Sequence, residues 1–452
     1  MARGSRLFVR SVAASLLVGA LAGCHDFLNQ DNLQNDPNNP VNAGLDNLFI
    51  SAQTNLTVEQ TGQLARVVCI WMQQCSGQIG GFAQIDLYGV GEDDFYTLWA
   101  QIYGGGGLID VRTIQRKALT QGDSIYAGAA AVIEAMQISL AADVWGDVPY
   151  NEAAQPDSFK TPNPDPQAAV YDSLLSRLSS AIVGLQATGP TNFGPVNSDL
   201  IYLGDGSKWA ALAHTVRARI WLHRARVVGT AAYDSAFAEA QQGIQQGDDY
   251  VSINNSAPTS ANLWSQFTTI YADNIAAGAY LVNYLADSGS SQDPRLSQYF
   301  SPTSSTGDFV GARPGQSLSP DAISTFNPDR VDAGFQQPIV TWAENQLIAA
   351  EAALQKSAPD AGAAATFLHA EQDAAGAANT SATLHNVMLE KYIVLFQNVE
   401  VWNDWKRTNL PALVPAPGGF IPRRLVYPLS ERQVNPNLAA HDPGNGRNPN
   451  DP

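Results

Sequence analysis

The 42 acidic side chains of this 452-residue chain are the first place to look for chemistry. Glycoside hydrolysis needs two carboxyls held about 5 to 9.5 Å apart, and Asp143 with Glu152 is one pair that closeness in sequence permits. Glu344 and Glu351, seven positions apart on one helical face, are another. Ion pairs with Arg217, Arg219 or Arg407 are the commoner fate of such acids. Of the six histidines, His214 and His223 stand nine apart and His369 and His385 stand singly, without the close His or Cys pairs of a zinc site. There is no nucleophile-elbow Gly-x-Ser-x-Gly and no Gly-x-x-x-x-Gly-Lys, and the run Gly104 to Gly107 lacks the lysine that would cradle phosphate. A surface glycoside hydrolase is thus only an alternative reading, and no catalytic residue, metal ligand or cofactor is assigned.

A different chemistry is written at the N-terminus. Arg3, Arg6 and Arg10 precede an apolar stretch from Ser11 to Ala22, which runs into Leu21-Ala22-Gly23-Cys24. A charged region, an apolar region and a small-residue cleavage site make a signal peptide over residues 1–23, too short to span a bilayer. Leu-Ala-Gly-Cys resembles the lipobox of bacterial lipoproteins, whose cysteine is acylated, so Cys24 is the expected lipidation site. One acyl chain holds a protein only marginally at about 0.8 kcal/mol per buried methylene, whereas three anchor it permanently. No later segment reads as long and apolar enough to cross a bilayer, so the rest of the chain is expected to be exported.

Removing three arginines and no acid takes the formal net charge from −17 to −20. That surface argues against nucleic acid, which requires clustered Lys and Arg, and against adsorption to anionic headgroups. Cys69 and Cys75 remain, in a compartment that permits disulfides. On one straight helix their six-position separation is about 9 Å, too far to bridge, while a small loop would allow it.

The elements that must position these residues are helical. Apolar stripes at spacings of three and four run through Val132, Met136, Leu140 and Val144, and through Tyr171, Leu174, Leu178, Ile182 and Leu185 after Asp165-Pro166. Others run through Trp209, Leu212, Val216 and Ile220, through Ala343, Leu347, Ala350 and Leu354, and through Met388, Tyr392, Leu395, Val399 and Trp402. Each helix has one apolar face that neighbours must cover. Between them lie stretches rich in Gly, Pro, Ser and Asn over 76–107, 187–206, 251–262 and 301–338, and loops of that length usually carry function. Residues 24–42 read as a tether, 43–434 as one helical domain and 435–452 as a flexible tail.

Several segments stand out, in order, across nearly the whole mature chain. They are Gly146-Asp147-Val148-Pro149-Tyr150 after Asp143-Val144-Trp145, and Gly204-Asp205-Gly206-Ser207-Lys208-Trp209 leading to Arg217-Ala218-Arg219. Asp293-Pro294-Arg295-Leu296 and Thr341-Trp342-Ala343-Glu344 with Ala350-Glu351-Ala352 follow. The most specific are Glu390-Lys391-Tyr392, Glu400 through Thr408, Ile421-Pro422-Arg423-Arg424 and Tyr427-Pro428. In this order the segments resemble the SusD/RagB family of nutrient-binding outer-membrane lipoproteins, and the resemblance implies an all-α fold, a single SusD-like domain of tetratricopeptide-type helix pairs with long irregular loops that form the ligand-binding face. It also implies a cell-surface protein that passes an oligosaccharide, a peptide or another nutrient oligomer to a SusC-type TonB-dependent transporter. A ligand-free scaffold for a partner protein is a further alternative. Most motif residues read as structural: Gly146 and Pro149 stop a helix, and Asp147, Asp205 and Asp293 suit turns and caps.

Aromatic rings stack on the apolar faces of sugars, and the nine tryptophans and fifteen tyrosines supply candidates. Trp209, Trp402 and Tyr392 lie in helical stripes and are assigned to the core. The ligand-binding candidates are Trp71, Tyr88, Tyr96, Trp99, Tyr103, Trp264 and Tyr271, in or beside irregular segments. Trp99 leads them, because Tyr96, Trp99 and Tyr103 share one face of a short helix beside the Gly104–Gly107 run.

Overall fold

A computed structural model describes residues 43–287 and 292–441. The signal peptide, Cys24, the tether and residues 442–452 lie outside the described residues. The chain divides into Met1–Asn47 and a body, Leu48–Pro452.

Helices α1 (Leu45–Thr61) and α2 (Gln63–Trp71) are followed by strand β1 (Cys75–Gly77) and short helices α3 (Gly81–Asp86) and α4 (Tyr96–Tyr103). Then come α5 (Leu108–Thr120), α6 (Ser124–Trp145), α7 (Gln167–Leu185), α8 (Gly206–His223), the single turn α9 (Ala225–Val228) and α10 (Thr230–Ala240). An irregular section holds β2 (Tyr250–Val251), α11 (Leu263–Ile270), β3 (Ile275–Ala277), α12 (Ala279–Ala286), α13 (Arg295–Tyr299) and β4 (Pro338–Val340). Last are α14 (Trp342–Gln355), α15 (Ala361–Ala375), α16 (Leu384–Val394), α17 (Glu400–Thr408), α18 (Leu429–Val434) and α19 (Pro436–His441).

The fold is all-α with tetratricopeptide-type helix pairs. Helices α5, α6, α7, α8, α10, α14 and α15 pack each on the next, and α16 lies on α14. Small residues permit the close approach: Ala218 of α8, Ala236 and Ala240 of α10 and Ala349 and Ala352 of α14 share one core cluster. Side-chain caps set the starts of several helices. Asp123, Asp205, Thr341 and Asp360 each accept a first-turn backbone N–H, worth about 1 kcal/mol apiece. Gly146 ends α6 at φ 86°, a backbone conformation that costs an L side chain energy. Asp147 then caps the next helix, accepting the Gln167 N–H at 2.9 Å.

Several departures from the sequence reading have local causes. Helix α6 is long and apolar enough to cross a membrane, yet 94% of its apolar window is buried within the fold, so its hydrophobicity is that of a central helix covered on all sides. The stripe from Met388 to Trp402 is split between α16 and α17 by a turn in which Gln397 takes φ 64°. The segment 76–107 holds α3 and α4, and residues 436–441, read as tail, form α19 with Leu438 buried.

The strands are minimal. β1 pairs antiparallel with β3, Cys75 opposite Ala277, and β2 with β4, Tyr250 opposite Val340. Helix α2 ends at Trp71, so Cys69 and Cys75 do not share a helix; the reversal brings their Cα atoms to 5.1 Å and they form a disulfide.

Candidate functional site

The charged motif residues are spent inside the fold. Glu134 of α6 accepts from Arg112, Gln115 and the Tyr150 hydroxyl, which ties the Gly-Asp-Val-Pro-Tyr turn to α5 and α6. His223 lies between Asp143 (Nδ1–Oδ1 2.9 Å) and Glu400 (Nε2–Oε1 2.7 Å). The two carboxylates outweigh its burial and raise its pKa to about 10, so it is an imidazolium bridging α6, α8 and α17. Its two nitrogens face separate carboxylates, and Lys406 and Arg407 border the same small cavity, which is poor company for a metal cation. Glu344 pairs with Arg219 at 2.6 Å, and Glu351 with Lys391 and Arg407. Arg295 binds Asp293 and Glu390, while Arg217 turns to Glu239.

The contacts of Asp143 and Glu152 separate the candidate hydrolase pair. Asp143 is buried and held by His223, the Tyr171 hydroxyl and Asn403, while Glu152 fastens Asn163 at the surface.

The aromatic candidates separate by burial. Trp99 is 5% exposed, its indole packed on Trp145, Tyr103 and Tyr427. The reason is that α4 lies against α5 and α6, so the face carrying Trp99 and Tyr103 is covered. Trp71 packs on Trp402 and donates its indole N–H to the Ile85 carbonyl, and Trp264 packs on Phe326. These three tryptophans are core residues. Tyr88 is buried too, but its hydroxyl accepts the Ala416 N–H at 3.1 Å. Tyr96 and Tyr271 reach solvent, at 57% and 50% exposure.

A cleft of about 1050 Å³ opens among the loops. Its walls are Gln73 in the turn after α2, Leu87 after α3, Ala279, Tyr280 and Asn283 of α12, Gly311 and residues 313–316, and Val414, Pro415 and Pro417. Cross-chain hydrogen bonds fix these segments. Gln73 donates to the Val414 carbonyl at 2.7 Å; Gln78 donates to the Gln316 carbonyl at 3.1 Å and accepts the Leu318 N–H at 2.9 Å. Asp86 accepts the N–H groups of Gly77 and Gly315, and its burial raises its carboxyl to about pKa 6. At Gly278 a Cβ would lie 2.2 Å from the Gln73 carbonyl oxygen, so only glycine lets the β3–α12 junction pass that turn. Tyr280 is half-buried, edge-on to Tyr392 at 5.7 Å, among the amides of Gln73, Asn283 and Gln316 and the exposed guanidinium of Arg313.

An aromatic, several amides and a guanidinium in an open cleft can bind a polyhydroxylated ligand by stacking and hydrogen bonding. Sequence reasoning singled out none of Tyr280, Asn283, Arg313 and Gln316. The available signal was the length and Gly/Pro content of 301–338, which includes Gly311-Ala312-Arg313-Pro314-Gly315-Gln316.

Tandem helix pairs carrying a loop-built cleft define a helical-repeat binding protein. A family model of SusD-like type, described as starch-binding and associating with the outer membrane, matches residues 37–428, and the chain belongs to this family. Among solved structures, a chitin-binding protein is similar at 25% identity and TM-score 0.72, covering 86% of this chain and 94% of that one. A SusD/RagB family protein from Bacteroides thetaiotaomicron is similar at 20% identity and TM-score 0.72 (90% and 97% covered). A chitin-binding SusD homolog from Flavobacterium johnsoniae is similar at 18% identity and TM-score 0.73 (88% and 94% covered). Among curated protein sequences none matches the chain significantly.

Proposed function

We propose that this protein is a lipid-anchored cell-surface glycan-binding protein that captures an oligosaccharide in the Tyr280 cleft and passes it to a SusC-type TonB-dependent transporter. The observation that carries the reading is the cleft, where the Tyr280 ring stands among the amides of Gln73, Asn283 and Gln316 and beside Arg313. Leu87, Val414, Pro415 and Pro417 supply apolar surface for sugar C–H faces and for the methyl of an acetamido group. The likeness to a chitin-binding protein makes N-acetylglucosamine oligomers the first ligands to test. Binding without turnover is supported by the family and by the internal pairing of the motif acids. Cys24 in its lipobox supports the anchor, and the Cys69–Cys75 disulfide supports export to an oxidising compartment.

Calorimetry with chitooligosaccharides and other neutral glycan oligomers tests the reading. Tyr280→Ala is expected to weaken binding by about 1–3 kcal/mol, the scale of an aromatic anchor, with the glycan recovered intact. Affinity unchanged in both Tyr280→Ala and Arg313→Ala, or release of shortened sugars, would count against it. Release of Cys24→Ala protein from the outer-membrane fraction tests the anchor. Co-purification of a large barrel with the detergent-solubilised protein tests the transporter.

A further inference from the structure

Outside the cleft, Arg66 on α2 is a charged group whose packing does not explain its charge. Its guanidinium lies over the Phe267 ring, 4.9 Å from the centroid. Its Nε is enclosed with no hydrogen-bond acceptor, and among the described residues no carboxylate pairs with it. Arg112, Arg219, Arg295 and Arg407 are each neutralised by at least one buried acid. Burial without such a partner draws the Arg66 pKa down to about 10; the residue as a whole is half-buried, and of its guanidinium nitrogens only Nε is enclosed without a partner, which leaves the Nη1/Nη2 edge for a ligand.

The surroundings indicate what would supply the anion. Phe267 meets Phe82 edge to face at 5.0 Å and Tyr271 at 5.5 Å with the rings tilted by 36°. Tyr271 is half exposed and Phe82 half-buried, so aromatic surface remains open beside the guanidinium. We infer that Arg66, Phe82, Phe267 and Tyr271 form a second binding site, which takes the carboxylate and ring of an acidic sugar such as a uronate. A guanidinium forks a carboxylate with two charge-assisted hydrogen bonds, and an aromatic face covers the C–H face of a pyranose. The net charge of −17 opposes an anion at long range, but salt screens that repulsion beyond about 8 Å, whereas the contact with Arg66 is local. The site is tied to the cleft through the chain: Phe82 lies on α3, which Leu87 follows, and Tyr271 and Tyr280 flank β3. The inference rests on the glycan-binding reading for the sugar ring and on Arg66 alone for the charge.

Titration of the full-length, detergent-solubilised protein with a short oligogalacturonate and, separately, with chitooligosaccharide tests it. The acidic oligomer is expected to bind, with affinity falling as salt is raised. Arg66→Gln is expected to weaken it roughly tenfold or more, about 1.4 kcal/mol per decade, and Tyr271→Ala to weaken it too, while Arg66→Lys retains part of it. Tyr271 is exposed and Lys keeps the charge, so these variants keep the test open if Arg66→Gln fails to fold. Binding of the acidic oligomer with affinity unchanged in Arg66→Gln at unchanged melting temperature overturns the inference. So does competition by inorganic sulfate at equal concentration, which would mean a bare anion site. Chitooligosaccharide binding without oligogalacturonate binding rejects the second site and leaves the cleft reading standing; the reverse result rejects the cleft ligand and leaves the Arg66 site.

Discussion

The Tyr392 hydroxyl donates to the Met72 carbonyl at 2.9 Å, and the backbone carbonyl of the same tyrosine accepts from the Gln74 amide at 2.6 Å. Residues 72–74 form the turn that carries Gln73 into the cleft wall, and Tyr392 also supports the edge of the Tyr280 ring. A residue of the Glu390-Lys391-Tyr392 motif, fully inside the helical body, therefore sets the position of two cleft residues 319 and 112 positions away.

Tyr392→Phe keeps the ring and removes one buried donor. The Met72 carbonyl is left short of a partner, so a loss of about 1–3 kcal/mol in stability is expected, with a smaller loss of glycan affinity through the displaced turn. Urea denaturation with calorimetry on the same variant checks both. Undiminished stability would mean that the turn is held by Gln73, Gln74 and the disulfide alone.

The disulfide closes a small loop at the same turn. Cross-linking a loop of this size removes denatured-state entropy worth about 2 kcal/mol in the chain-entropy model. Replacing Cys69 and Cys75 with Ala should lower stability by that order and loosen Gln73. Thermal unfolding of the double variant, and of the parent with and without reductant, should agree.

Helical stripes are decided locally, and those through Val144, Leu185, Ile220 and Leu354 recur as α6, α7, α8 and α14. Gln397 at positive φ, which divides α16 from α17, has no apolar signature and was invisible. The disulfide stayed open in the sequence because it depends on α2 stopping at Trp71. The cleft was illegible for a stronger reason. Gln73, Tyr280, Arg313 and Val414 meet only through tertiary contacts, and of the four only Arg313 carries a mark in the sequence, the Gly/Pro-rich stretch around it. Proximity to glycine-rich segments pointed to Trp99, but such proximity does not distinguish a ring above a loop from one packed beneath it.

Trp99→Ala discriminates those two positions. With the indole against Trp145 and Tyr427, truncation should cost about 3–5 kcal/mol of stability. Glycan affinity of the folded fraction should stay within a few fold. A stable variant that has lost binding would return Trp99 to the site.

His223 gives the fold a signature at alkaline pH. In the unfolded chain its pKa is about 6.5, whereas in the fold Asp143 and Glu400 raise it to about 10. Below pH 6.5 the ring is charged in both states and its contribution is fully present; as pH rises toward 10 the unfolded chain gives up its proton first, so stability falls through that window. Asp143 has the opposite sign. Although burial opposes ionisation, His223 and Lys406 depress its pKa below the usual carboxylate value, so its contribution is present at neutral pH and fades in acid. Stability should therefore be highest in the weakly acidic range and slope downward from near pH 6.5. His223→Gln should make that slope shallower, with the remainder coming from Glu371, whose burial beside Glu390 raises its carboxyl to about 9, and should cost about 3–5 kcal/mol at pH 6, because Asp143 and Glu400 lose the cation between them. Denaturation midpoints across pH 5–10 for both proteins decide the matter: parallel curves would show that His223 is not the titrating group.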